Sequence, residues 1–123
     1  MILLVEDNPG DIALFQIALR ETSSQCTVCR TADDAIALLG QSVDFNIVVI
    51  DLRLSGSDGW GVLEHLRGRP AAPVQVVLTS STNERDRARS SEFDNVHYWI
   101  KPDDFASLRT LVQRISAFDI GAG

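Results

Sequence analysis

The chain is poor in the features that would anchor or cross-link a small protein. Its 123 residues include two cysteines, and no apolar run approaches the ~20 residues that a membrane-spanning helix needs. An apolar, strand-like run begins almost at once, so we expect no signal peptide. The formal net charge is −6 without a basic cluster, which argues against direct binding of nucleic acid. These absences favour one cytoplasmic domain over residues 1–123, with no membrane attachment.

Cys26 and Cys29 have the spacing of a C-x-x-C motif, but they fall within residues 26–30, which we interpret as a short strand. Residues three apart on a strand point to opposite faces, so the pair could neither chelate one metal ion nor form an unstrained disulfide. A structural zinc site would also need a second pair of ligands, which the sequence lacks. We therefore predict that both cysteines are packing residues.

Apolar runs of strand length alternate five times with segments of helical period. Asn8 and Pro9 suit the start of the first helix. The segment 83–93 is polar nearly throughout, so we expect a short, weakly anchored helix there. The alternation predicts an α/β domain whose parallel sheet is covered on both faces. The predicted strands are 2–5, 26–30, 44–50, 74–78 and 96–100; the predicted helices are 8–22, 31–40, 58–67, 83–93 and a last one with Phe105, Leu108, Leu111, Val112 and Ile115 at helical spacing.

Four of the predicted strands end in residues that can carry chemistry. Glu6 and Asp7 follow the first strand, and Asp51 follows the third. Thr79 ends the fourth strand, and Lys101 follows the fifth. Because parallel strands deliver their carboxyl ends to one edge of the sheet, we expect these side chains to meet there.

A carboxylate can accept a phosphoryl group only if the negative charges that meet in the transition state are offset. Mg²⁺ does this well, and it prefers oxygen ligands of the kind that Glu6, Asp7 and Asp51 supply. Lys101 adds a compact positive charge, and Thr79 offers a hydroxyl donor. Each residue alone is weak evidence, because single acids at strand ends are usually caps or solvated turn residues. Together, in this order, they predict a metal-assisted phosphoryl-acceptor site.

The sequence resembles the receiver domain of two-component response regulators over essentially its whole length. The resemblance implies a flavodoxin-like, doubly wound (βα)5 fold with a five-stranded parallel sheet in the order 2-1-3-4-5. Residues 6–9 and 101–105 are most similar to the single-domain, phytochrome-associated type. The segments that carry the resemblance are 3–8 (LLVEDN), 48–52 (VVIDL), 58–60 (DGW), 77–80 (VLTS) and 98–102 (YWIKP).

The resemblance also implies a ligand set and a partner. Asp51 would be the phosphoacceptor, and Mg²⁺ would be held by three carboxylates and one backbone carbonyl. The donor would be a sensor histidine kinase or a histidine phosphotransfer protein. The domain would be a signalling switch and not an enzyme, apart from its own phosphorylation and dephosphorylation. The four metal ligands implied are Glu6, Asp7, Asp51 and the carbonyl of Arg53.

Three further residues have implied roles in switching. Lys101 would pair with the phosphoryl group, and Thr79 would form a hydrogen bond with it. Tyr98 would turn inward as Thr79 shifts. The face that changes would be formed by the fourth helix, the fifth strand and the fifth helix. That face would bind a downstream protein or a second copy of the chain.

Departures from the family pattern leave alternatives open. The family usually has proline where this chain has Ser55, and the fourth helix is polar, so a receiver-like docking module that no longer switches is the alternative function. A small phosphatase is disfavoured, because Arg53 stands where a second acid would protonate the leaving group. No output domain follows the last helix before Gly123, so we expect either a stand-alone receiver or a fragment of a longer regulator or hybrid kinase.

Overall fold

Residues 1–41, 45–54 and 56–119 are described by the computed structural model. In these ranges no helix is long and apolar enough to cross a membrane. The helices are α1 (Pro9–Leu19), α2 (Ala32–Leu39), α3 (Trp60–Leu66), α4 (Glu84–Ser90) and α5 (Phe105–Ser116). The strands are β1 (Ile2–Val5), β2 (Cys26–Cys29), β3 (Ile47–Ile50), β4 (Arg53–Leu54), β5 (Ser57–Asp58), β6 (Val74–Thr79) and β7 (Val96–Ile100).

Five of the strands form one parallel sheet in the order β2-β1-β3-β6-β7. The other two, β4 and β5, pair with each other as a short antiparallel hairpin. With that hairpin set aside, the order is the predicted 2-1-3-4-5, and the predicted doubly wound fold is confirmed. The central strands β1 and β3 are buried at every position, which explains why their sequences are uninterrupted apolar runs.

The hydrophobic core has two halves, one on each face of the sheet. Ile2 and Leu4 of β1 pack with residues of α1 and α5, whereas Leu3 packs with residues of α2 and α3. Cys26 packs against the first half and Cys29 lies in the second, so the prediction that the cysteines point to opposite faces is confirmed. Helices on both faces leave the carboxyl edge of the sheet accessible.

Three helix boundaries differ from the predicted ones, and one of them is the end of α4, at Ser90 rather than Phe93. α1 ends at Leu19 rather than near Thr22, because the Thr22 hydroxyl donates to the Leu19 carbonyl (2.7 Å) and itself accepts from the Ser24 N–H (3.2 Å). Such local bonds compete with the next helical turn. α3 begins at Trp60 rather than Asp58, because Asp58 belongs to the hairpin strand β5. Strands of two residues are too short to leave a periodic pattern, so the sequence did not predict this hairpin.

Two further predictions concern the ends of other elements. β3 begins at Ile47, and the predicted start at Asp44 lies outside the described residues, as does Ser55. Phe105 has the helical spacing of the apolar face of α5, yet it is 39% exposed. The buried residues of α5 are Val112 and Ile115, so this helix packs through its later turns.

The helix α4 is short, as its polar sequence predicted. Of its seven residues, Ser90 is buried. Contacts of its arginines add to this small buried area: the Arg89 guanidinium lies 4.3 Å from the centre of the Trp60 ring, and the Arg87 guanidinium lies 5.4 Å from that of Tyr98. The helix is therefore held by cation–π contacts and polar bonds more than by apolar burial.

Gly59 lies where the start of α3 approaches the end of β3. Its N–H donates to the Leu52 carbonyl (3.1 Å). A Cβ atom at this position would overlap the backbone oxygen of Asp51 and would lie 2.6 Å from Ile50 Cγ2. Because backbone atoms cannot move aside like the end of a flexible side chain, this approach requires glycine.

We expect Gly59→Ala to lower the free energy of unfolding by about 1–3 kcal/mol, as overpacking of a tight site does. Gly61→Ala is the matched control, because a Cβ there meets nothing within 4 Å. Alanine should leave stability unchanged or raise it by up to about 1 kcal/mol within a helix. Urea unfolding followed by circular dichroism measures both variants, and equal stability of the two would contradict the role assigned to Gly59.

Candidate functional site

The sheet brings the predicted chemical residues to one edge. Asp51 donates its backbone N–H to the Val5 carbonyl (3.0 Å), which places Glu6 and Asp51 side by side at the ends of β1 and β3. Lys101 donates its backbone N–H to the Thr79 carbonyl (2.8 Å), which joins the ends of β7 and β6 in the same way. The register of the parallel strands thus makes neighbours of residues that are far apart in the chain.

Lys101 is the single lysine of the sequence and the centre of the site. Its Nζ donates to Glu6 Oε1 (2.5 Å), Asp11 Oδ2 (2.6 Å) and Asp51 Oδ2 (2.8 Å). An ammonium group has three N–H donors, so these carboxylates satisfy all of them. The Lys101 side chain is 16% exposed, and those of Glu6 and Asp51 are 5% and 6% exposed. Water therefore screens these attractions less than it would on an open surface.

Burial and neighbouring charge shift two pKa values in the site. Burial, with the Asp51 carboxylate close by, raises the pKa of Glu6 to about 7, although the hydrogen bond from Lys101 opposes that change. Burial by itself would lower the pKa of Lys101, but hydrogen bonds to Asp11, Asp51 and Glu6 outweigh it and raise the Lys101 pKa above its usual value. Lys101 therefore stays charged, whereas Glu6 gains a proton readily when no cation besides Lys101 is near.

The raised pKa of Glu6 predicts a pH dependence of stability in the absence of divalent metal. The folded protein holds the Glu6 proton up to about pH 7, and the unfolded chain only up to about pH 4.5. Between these pH values the folded state therefore binds more protons than the unfolded chain. The contribution of Glu6 to the free energy of unfolding falls as pH rises through that window.

Glu6→Gln should weaken this fall, because glutamine does not titrate. Glu64→Gln, at a surface residue whose side chain is 47% exposed, is the control that should keep the wild-type slope. Urea unfolding in the presence of a chelator at several pH values gives the comparison. A Glu6→Gln slope equal to that of Glu64→Gln would contradict the assigned shift.

Hydrogen bonds connect the Asp51 loop (residues 51–53) and the loop after β6 to the site. Asp51 Oδ1 accepts from the Arg53 backbone N–H (3.0 Å), so its two carboxylate oxygens have different partners. Thr79 is fully buried, and its hydroxyl oxygen accepts from the Ser81 N–H (3.2 Å). The Tyr98 hydroxyl donates to the Ser81 carbonyl (3.1 Å). Thr79 and Tyr98, the two predicted switch residues, are thus joined through Ser81.

A polar link that the sequence did not predict connects the Asp51 loop to α4. The Arg53 guanidinium donates to Asp86 Oδ2 (3.1 Å), and the Ser81 hydroxyl donates to the same oxygen (2.7 Å). Arg53 lies two residues after Asp51, and Asp86 lies in the first turn of α4. A displacement of the Asp51 loop would therefore act on α4 through Asp86.

We expect Asp86→Ala to loosen α4 with a small effect on global stability, because exposed ion pairs contribute about 0–1 kcal/mol. Backbone amides of α4 should exchange hydrogen several-fold faster, which mass spectrometry of peptides measures. Glu84→Ala is the control, because it removes the same charge from the same helical turn without removing the bonds to Arg53 and Ser81. Equal exchange rates in the two variants would show that the Asp86 link does not hold the helix.

The predicted metal ligands follow β1 and β3 at the carboxyl edge of the sheet, but their side chains are not arranged as a preformed metal site. Glu6 Oε2 accepts from the Asp7 N–H (3.1 Å), and Arg53 follows Asp51 by two residues. Within the described residues, no group of three or more histidine, cysteine or acidic side chains is arranged to hold a metal ion. The Lys101 ammonium lies between the carboxylates of Glu6, Asp11 and Asp51 instead. The donor chemistry nevertheless fits a hard divalent ion, because the donors are oxygens and Glu6 is buried beside a second acid.

Sequence reasoning missed one residue of this constellation. Asp11 lies in the first turn of α1, and its N–H donates to the side chain of the cap residue Asn8 (3.0 Å). An acid at that place is normally assigned to the helix dipole. A signal was available in the sequence. The cap residue Asn8 directly follows Glu6 and Asp7, so the first turn of α1, which contains Asp11, has to start at the same sheet edge.

Comparison with known proteins identifies the family of the chain. A sequence model of the response regulator receiver domain matches residues 2–113. The chain belongs to this family. The response regulator Rcp1 of Synechocystis sp. is 33% identical over 129 residues, which cover 96% of this chain and 87% of Rcp1. The transcriptional activator protein IrlR of Burkholderia pseudomallei is 32% identical over 116 residues, 93% of this chain and 49% of IrlR. This receiver domain thus spans about half the length of IrlR.

Solved structures agree with this assignment. The Mn²⁺-bound form of response regulator Rcp1 superimposes with a TM-score of 0.84 at 32% identity, over 99% of this chain and 95% of that one. The phosphorylated cyanobacterial phytochrome response regulator RcpA gives a TM-score of 0.85 at 30% identity, over 95% of this chain and 91% of that one. The predicted receiver fold and family are therefore confirmed.

Proposed function

We propose that this receiver domain is a signalling switch that accepts a phosphoryl group on Asp51. The observation that carries the proposal is the buried Asp51 side chain, 6% exposed, whose Oδ2 lies 2.8 Å from the ammonium of Lys101. A buried nucleophilic carboxylate paired with a fixed cation, at the carboxyl edge of a parallel sheet, is suited to phosphoryl transfer. The likeness to phosphorylated RcpA supports the same function.

Asp51, Lys101, Thr79 and Tyr98 each have a part in this proposed reaction. An oxygen of Asp51 forms the new bond to phosphorus, while the bond from phosphorus to the nitrogen of a phosphohistidine donor breaks. Lys101 donates hydrogen bonds to a phosphoryl oxygen and so offsets the added charge. Thr79 exchanges its contact with the Ser81 N–H for a bond to the phosphoryl group, and Tyr98 follows because it is held by the same loop.

We also propose that the site uses Mg²⁺, held by oxygens of Glu6, Asp7, Asp51 and the carbonyl of Arg53. A bound divalent ion supplies positive charge between the acceptor and the incoming phosphoryl group. The Mn²⁺-bound form of Rcp1 supports a divalent ion in a relative of this chain. Here the buried Glu6, whose pKa is raised to about 7, is an acid that gains from such a counter-charge.

The proposed donor is a sensor histidine kinase or a histidine phosphotransfer protein in the cytoplasm. The proposed readout face consists of α4, β7 and α5. Its edge strand β7 is half-buried at every position, and α4 rests on it through the Arg87–Tyr98 contact. Movement of Tyr98 would change this face, which would then bind a downstream protein or a second copy of the chain.

The test is the intact mass of the protein after incubation with acetyl phosphate and Mg²⁺. We expect one labile phosphoryl adduct on the wild type and none on Asp51→Asn, because the amide cannot serve as the acceptor. A sample with chelator in place of Mg²⁺ should also remain unmodified. Asp33→Asn, which removes an acid of the same kind from the first turn of α2, should be modified like the wild type.

An adduct that persists in Asp51→Asn would place the acceptor elsewhere. No adduct on the wild type, together with no effect of beryllofluoride on tryptophan fluorescence, would reject the switch and favour a receiver-like docking module. An adduct that forms equally well with chelator would reject the metal proposal alone.

A further inference from the structure

We propose that Asp11 is a positioning residue for Lys101 in the phosphoryl-acceptor reaction. Its carboxylate would hold the Lys101 ammonium over Asp51 both before and after phosphorylation. This inference rests on the proposed function, because it assigns a further residue to the same site.

Asp11 reaches Lys101 from a different element than the other acids of the site. It lies on α1, whereas Glu6 and Asp51 follow strands, and its Oδ2 is 2.6 Å from Nζ. The bond from its N–H to the Asn8 side chain (3.0 Å) fixes the first turn of α1. The Asp11 carboxylate therefore projects from a capped helix end. This end is a rigid support for a contact between residues that lie 90 apart in the sequence.

Asp11 is also the partner of Lys101 that the reaction leaves in place. Asp51 takes up the phosphoryl group, and Glu6 is assigned to the metal ion, so both change their interaction with Lys101 during the cycle. Asp11 has neither role in the proposed function. Its side chain is 40% exposed, whereas those of Glu6 and Asp51 are buried.

The packing around Lys101 explains why an ionic anchor is needed. A cavity of about 60 Å³ borders the Lys101 side chain and is lined in part by Leu14, Phe15 and Leu108. A lysine side chain has a flexible four-carbon stem, and apolar contacts next to a void restrain it little. The hydrogen bond to Asp11 therefore restricts the ammonium to positions near Asp51.

The test compares the initial rate of phosphoryl-adduct formation with acetyl phosphate at saturating Mg²⁺. We expect Asp11→Asn to react about five- to tenfold more slowly than wild type, because the amide oxygen can still accept from Nζ but no longer carries the opposite charge. Asp11→Glu should recover at least half of the wild-type rate, since a longer carboxylate on a partly exposed helical turn still reaches Nζ. Asp33→Asn should react like wild type.

A second readout does not depend on phosphorylation. Because Lys101 is the single lysine, lysine labelled with ¹³C at Cε gives one side-chain signal that needs no assignment. In metal-free protein we expect this signal to be narrower and more mobile in Asp11→Asn than in wild type and Asp33→Asn. A purely structural role of Asp11 would instead lower the unfolding temperature without changing the mobility of Lys101.

Equal rates for Asp11→Asn and wild type would overturn the proposal, as would an unchanged lysine signal or an Asp11→Glu rate as low as that of Asp11→Asn. These outcomes differ from failure of the proposed function, in which wild type itself forms no adduct. A slow Asp11→Asn variant with a mobile Lys101 and a rapid Asp11→Glu variant would establish the positioning role.

Discussion

The contact between the Lys101 ammonium and three carboxylates is the interaction on which the site depends. Glu6, Asp51 and Asp11 would repel one another if they met without a cation. Lys101 removes that repulsion and at the same time joins the ends of β1, β3 and β7 to the start of α1. The interaction therefore has two consequences: it permits several acids at the sheet edge, and it fixes Asp51 relative to the strands that surround it.

The same arrangement suits the proposed phosphoryl transfer, because it keeps the buried charges paired. A buried charge without a partner destabilises the folded state. Each change of partner at Lys101 therefore alters how well the buried charges around it are compensated. Attachment of a phosphoryl group to Asp51 would add negative charge and attract Lys101, while a divalent ion would replace Lys101 as the partner of Glu6. The unmodified protein thus holds Lys101 in a position from which it can serve either state.

Short polar contacts connect Asp51 to α4 and to Tyr98 of β7. Asp51 is linked through the backbone of Arg53 to the Arg53 side chain, which reaches Asp86 on α4. The Ser81 hydroxyl also donates to Asp86, and the Ser81 carbonyl accepts from the Tyr98 hydroxyl. Because α4 buries little apolar surface, these bonds form a large part of what holds it. A helix held in this way can respond to changes at Asp51 without disturbing the core.

Much of the fold and of the site followed from the sequence, because the strands end in Glu6-Asp7, Asp51, Thr79 and Lys101 and a parallel sheet brings such ends to one edge. The alternation of strands and helices determined the layers, and the resemblance to receiver domains supplied the strand order. Only the tertiary structure decided which acids share Lys101. Asp11 lies 90 residues from Lys101, and Arg53 lies 33 residues from Asp86, so no local pattern could pair them. The β4–β5 hairpin and the close approach at Gly59 were likewise decided by packing, because local sequence patterns do not specify which backbones come into contact.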